Sequence, residues 1–148
     1  MSATDNKAVA EALLDAFNAR DFDRARGIFA EDYVNHNPPP FPGADAGRDG
    51  NLLAMRTLAE AFPDAQATTD HLLAEGDLVV VHDTVRGTHE GDFMGVSPTG
   101  KQVEVEFIHV FRIAGGRIAE RWGLIDAMGL MQQIGAIPAP ADMAQASR

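Results

Sequence analysis

Apolar residues recur at helical spacing from the start of the chain. Val9, Leu13 and Phe17 form one row and Ala10 and Leu14 the next, which predicts an amphipathic helix over about residues 5–19. Asp21 can cap a short second helix whose apolar face is Phe22, Ala25 and Phe29. The stretch "GRDGNLLAMRTLAEAF" turns Leu52, Met55, Leu58, Ala59 and Phe62 to one side. It predicts a third helix, ended by Pro63. Between the second and third helices, "DYVNHNPPPFPG" (Asp32–Gly43) reads as a loop along the rim of the fold. Pro38, Pro39 and Pro40 fix its backbone φ, and Asn35 and Asn37 can satisfy nearby backbone groups.

Beyond Pro63 the pattern changes from helical to alternating. Residues about 65–75, 78–88, 101–113 and 117–126 are β-rich, separated by the turn signals "EGD", "HEGDFMGVSPTG" and "AGG". Consecutive hairpins make an antiparallel meander, followed by a short helix at about 127–134. Helices first and a meander afterwards define an α+β plan. The helices cover one face of a strongly curved sheet of four or more strands, which leaves a cone with a pocket. One domain is expected over 1–137, with the Pro/Ala/Ser-rich 138–148 as a flexible tail.

Alternation along the strands separates inward from outward groups. Val103, Val105, Phe107, His109, Phe111 and Ile113 share a face, so one histidine stands in an apolar row. It is either a core imidazole with a local hydrogen bond or a pocket donor or base. Val79, Val81, Asp83 and Val85 share a face of the preceding strand, and an aspartate among valines is costly unless paired. A bulge would instead turn Val80, His82, Thr84 and Arg86 inward. On the last strand Trp122 and Leu124 suggest that their side faces the core, which would aim Asp126 inward at the strand end. Counting back from the turns sets Asp83 opposite about Glu106 and Asp126 opposite about Glu104, with His109 further along the strand. An aspartate so placed is expected to have its pKa raised by desolvation and to work as an acid or base.

Charge and composition narrow the chemistry. The chain has 148 residues, with 12 basic and 22 acidic side chains and a formal net charge of −10. That balance argues against nucleic acid and anionic membranes as partners. No apolar run spans a bilayer and no signal-peptide order opens the chain, so a cytoplasmic location is expected. With no cysteine, thiol nucleophiles and thiolate metal sites are absent. Neither Lys7 nor Lys101 suits a buried Schiff base, and none of the three serines sits in a G-x-S-x-G elbow. Without a G-x-G-x-x-G or a P-loop no nucleotide cofactor is indicated, and the histidines show no close metal-ligand spacing. An enzyme built from these residues would use carboxylates, histidines and apolar space, without a cofactor.

"AFPDA", "EGDLVVVHDTVRGTHEGDFMGVSPTGK" and "FRIAGGRIAERWGLIDAMGLMQQIG", with "YVNHNP" before the third helix, resemble the SnoaL-like polyketide (ester) cyclases. That family lies within the nuclear transport factor two-like superfamily of cone-shaped α+β folds. The resemblance covers roughly residues 6–135. It implies an intramolecular aldol ring closure without metal or Schiff base, on a bulky apolar or aromatic keto substrate. It further implies that Asp126, in the W-x-x-x-D position with Trp122, is a general acid/base. His36 matches a pocket histidine after the second helix, and His109 a polar residue on the central strand. It also implies a homodimer or higher homo-oligomer formed through the outer face of the sheet.

The candidate catalytic residues are therefore Asp126, His36 and His109. Tyr33, Asn35, Asp83, His89, Phe107, Phe111 and Trp122 are candidate substrate contacts. His89 sits in the glycine-rich hairpin, either as part of a lid or as a loop residue bonded to backbone. Two other readings use the same pocket: a small-ligand-binding module without chemistry, and a hydrolase or isomerase of the epoxide hydrolase type. In the second, Asp83 with Asp126 would position a water, and an arginine such as Arg86 could bridge two carboxylates.

Overall fold

A computed structural model describes residues 2–141. Helix α1 (Ala3–Asn18) opens on a capping box in which Ser2 and Asp5 satisfy each other's backbone N–H. Helix α2 (Phe22–Ile28) starts on Asp21, whose carboxylate accepts from the Arg24 N–H. Strand β1 (Phe29–Asn35) follows at once, and α3 (Arg48–Ala61) comes after the proline loop. Strands β2 (Gln66–Glu75), β3 (Leu78–Thr88), β4 (Gln102–Ala114) and β5 (Arg117–Ile125) form the meander, closed by α4 (Ala127–Gln133). Gly76 makes the tight β2–β3 turn at φ 60°, which L side chains rarely adopt.

The fold is the expected α+β cone, with helices packed on a curved sheet. The sheet has five strands in the order β1-β5-β4-β3-β2 and is mixed, because β1 runs parallel to β5. The pattern along the chain had assigned Phe29 to a helix face and Asp32–Asn35 to a loop. They form an edge strand instead, because β5 offers an unpaired edge and Tyr33 and Asn35 can be buried there. The part of the expected tail from residue 142 onwards lies outside the described residues.

Apolar burial occurs in two patches. One gathers Leu13 and Leu14 of α1, Phe29 and Tyr33 of β1, Leu52 of α3 and Val79, Val81 and Phe111 of the sheet. The other gathers Phe17, Phe62, Phe93, Val103, Leu130 and Ile134. Each large side chain so buried contributes roughly 1.5–3 kcal/mol. The space between the patches is not filled, and the cavity lies there.

Two registers differ from expectation. Asp83 stands opposite Phe107 rather than Glu106, a shift of one residue. In the β4–β5 pair the register slips between Arg112 and Ile113: Ile113 faces Ile118, but Arg112 faces Glu120. The bulge near Ala119 reverses the facing of the rest of β5. Arg121 therefore turns inward and is buried, whereas Trp122 and Leu124 turn outward, the latter 74% exposed.

A buried Asp–His–Arg relay in an apolar cavity

Between α1, α3, the proline loop and the concave face of the sheet lies a cavity of about 270 Å³. Leu13 and Phe17 of α1 and Met55 and Leu58 of α3 wall one side; Phe107 and Phe111 of β4 wall the other. The exposed Leu124 and Pro38 mark its mouth. Its polar side chains are few: Asn35, Asn37, Asn51, Asp83, His109 and Arg121.

His109 is central to them. Its ring stacks along the strand between Phe107 and Phe111, with centroids 5.6 and 5.1 Å away. Nδ1 accepts a 2.8 Å hydrogen bond from Nε of Arg121. Since that guanidinium nitrogen can only donate, Nδ1 carries no proton and the neutral imidazole is protonated at Nε2. Nε2 lies 3.3 Å from Oδ1 of Asp83, a diagonal cross-strand contact. The contact is poorly aligned, and Oδ1 of Asp83 is buried without a hydrogen-bond donor. Burial holds the His109 pKa below its ordinary value; the Asp83 carboxylate opposes this and the Arg121 charge adds to it.

Arg121 is anchored from the other side. Nη1 donates to Oδ1 of Asn35 at 3.2 Å and to the Asn37 carbonyl at 3.3 Å. Asn35 donates in turn to Oδ1 of Asn51 at 3.2 Å, and the Tyr33 hydroxyl donates to the same oxygen at 3.0 Å. Desolvation lowers the pKa of Arg121 and raises that of Tyr33, which stays a neutral donor. The proline loop is tied to β5 where the Gly123 N–H donates to Oδ1 of Asn37.

Of the ten expected site residues, Asn35, Asp83, Phe107, His109 and Phe111 meet at this cavity. The other five do not line it, and the geometric expectations for Asp126 and His36 are corrected. Asp126 does not point inward from the end of β5. It is the exposed N-cap of α4, accepting from the Gly129 N–H at 3.0 Å, because the strand has ended and the helix start offers it a donor. His36 is not a pocket histidine; it stacks on Trp122 at 4.7 Å outside the cavity, with Nε2 3.1 Å from Glu120. The bulge that turns Trp122 outward creates this surface stack. His89 is fully buried beside Phe62 and bonded through Nδ1 to Thr99, a packed loop residue rather than a lid group. Tyr33 reaches the network only through Asn51. Arg86, the bridge considered for the hydrolase reading, pairs with Glu104 on the outer face.

Arg121 and Asn51 were not anticipated. The signal for Arg121 was faint: a glycine, Gly123, inside a strand, which often marks close approach of another group.

The fold and its walled cavity define the SnoaL-like class of cone-shaped α+β proteins. The profile of the SnoaL-like polyketide cyclases matches residues 7–134, and the chain belongs to that family. Among characterised proteins it is similar to aklanonic acid methyl ester cyclase DauD from Streptomyces sp. (strain C5), at 26% identity over 130 residues. That match covers 83% of this chain and 77% of DauD. Among solved structures it is similar to AclR from Streptomyces galilaeus, described as a candidate hydroxylase, with TM-score 0.84, 29% identity and coverage of 99% and 91%. IdmH from Streptomyces antibioticus, a candidate polyketide cyclase, gives TM-score 0.75, 34% identity and coverage of 88% and 98%.

Proposed function

We propose that this protein is a cyclase that closes a ring by acid/base aldol chemistry on a bulky, largely apolar keto substrate. The observation that carries the reading is a buried carboxylate, Asp83, that lines an apolar cavity with only the loosely aligned His109 beside it. Asp83 is assigned the base. Its oxygen removes a proton α to a carbonyl, and the resulting carbanion attacks a second carbonyl of the same molecule. The protonated Asp83 then returns the proton to the new alkoxide, so no net proton, electron or cofactor is consumed. His109 cannot easily take the base role, because its Nδ1 lone pair is occupied by Arg121. Its Nε2–H steadies the Asp83 carboxylate between steps. The apolar walls exclude water and so favour ring closure over solvent quenching.

The test is turnover of aklanonic acid methyl ester and a panel of related keto esters, with products identified by mass spectrometry and NMR. Ring closure by the wild type and its loss in Asp83→Asn support the reading. Unchanged turnover in Asp83→Asn refutes the role of Asp83. Tight binding across the panel without turnover favours a ligand-binding module.

A further inference from the structure

The donors of Arg121 are not all used within the protein. A guanidinium carries five N–H groups. Nε donates to His109, and Nη1 donates to Asn35 and Asn37. No acceptor among the described residues takes either hydrogen of Nη2, although Arg121 is only 8% exposed. Nη2 is not one of the sealed, unpartnered polar atoms of the described residues, and an ionised donor that a ligand can reach forms a strong bond to an anionic acceptor. Arg121 lines the cavity, so the missing acceptor has room to come from a ligand.

The position of Nη2 is set by Gly123. A Cβ built on that residue would lie 2.6 Å from both Cζ and Nη2 of Arg121, and 2.8 Å from the Ile108 carbonyl. Gly123 stands opposite His109 in the sheet and also lines the cavity. Any side chain there would push the guanidinium out of its bonds to His109 and Asn35. Asn51 adds a second donor: its Oδ1 accepts from both Tyr33 and Asn35, which fixes the amide orientation and leaves Nδ2 without an acceptor among the described residues at the same cavity.

We infer that Arg121 Nη2, kept in place by Gly123, is the docking point for a negatively charged substrate oxygen, namely the enolate oxygen of a β-dicarbonyl group. The imidazole of His109 separates this cationic end from the anionic Asp83. A keto group can therefore lie along the relay with its oxygen at Arg121 and its α-carbon towards Asp83. The site thereby selects substrates that enolise readily over simple ketones and alcohols of the same size. The orientation rests on the cyclase reading, but the oxygen site can be tested without turnover.

The probe is 1-phenylbutane-1,3-dione, whose enolate is distinguished from its neutral forms by ultraviolet absorbance. Its apparent pKa is measured free and in the presence of saturating protein. The wild type is expected to lower it by about one unit or more, a tenfold preference for the enolate. Arg121→Gln and Gly123→Ala abolish that preference, Arg121→Lys keeps part of it, and Asp83→Asn keeps all of it. An unshifted probe with the wild type, or a full shift in both Arg121→Gln and Gly123→Ala, overturns the inference. If Arg121→Gln does not fold, Gly123→Ala and Arg121→Lys decide alone. A protein that prefers the enolate in this way but closes no ring retains the oxygen site and loses the cyclase reading.

Discussion

Arg121 Nε donates to His109 Nδ1 at 2.8 Å, so a permanent cation sets the tautomer of an imidazole that lines the cavity. That bond directs the remaining N–H of His109 at Asp83. A neutral histidine between a cation and an anion resists both gaining and losing a proton. Proton traffic is thereby left to the carboxylate. The relay joins three neighbouring strands, β3, β4 and β5, and depends on their register.

Asp83→Asn keeps the shape of the side chain and removes both its charge and its basicity. Turnover is expected to fall by roughly 10²–10⁴-fold, the usual contribution of a positioned general base. The melting temperature should hold or rise, because a buried charge whose Oδ1 takes no well-formed hydrogen bond is replaced by a neutral amide. Steady-state kinetics and calorimetry on the same preparation check both.

His109 also sets a pH dependence of stability. Burial holds its folded pKa below the ordinary 6.5, so the unfolded chain takes up the proton first as pH falls. Its contribution is complete above about pH 6.5 and is lost progressively below it, by at most about 1.4 kcal/mol per pH unit. Thermal unfolding at pH 7.5 and 5.5 should show a larger drop for the wild type than for His109→Gln. Equal drops would mean that this imidazole does not resist protonation.

Asp126→Ala and His36→Ala should act on stability alone. The first removes an N-cap bond and is expected to cost about 1 kcal/mol. The second removes a surface stack and an exposed ion pair, at a cost of up to about 1 kcal/mol. Turnover should stay within a few-fold of wild type in both. A hundredfold loss in either would show that its side chain reaches the substrate.

Met55 projects from α3 into the cavity wall. Met55→Trp adds volume where a ligand would lie, and should raise KM or abolish binding of aromatic keto esters. Indole can fill empty space here without the strain of entering a close-packed core, so the melting temperature should not fall by the amount typical of overpacking. Isothermal titration with a keto ester checks the first point and thermal unfolding the second.

Local rules made much of the molecule legible from the sequence. Helical spacing marked α1 and α3, the Asp21 cap marked α2, and alternation between turn signals marked β2 to β5 within a residue or two of their ends. The same alternation identified the apolar row carrying His109 and the valine row carrying Asp83. The family motifs run along the same meander. These signals are contained in a few neighbouring residues, which is why one chain suffices to show them.

The tertiary structure decided what depends on distant partners. Phe29–Asn35 became a strand only because β5 presented an edge to pair with. The one-residue slip between Arg112 and Ile113 decided that Arg121 rather than Trp122 enters the cavity. Side chains alternate with period two, so a single bulge reverses every later facing, and nothing in "GRIAERWGLID" marks where it falls. The sequence by itself determined every element but β1, and two members of the relay. The register of the folded sheet supplied the third member, Arg121, and turned Asp126 and His36 away from the cavity.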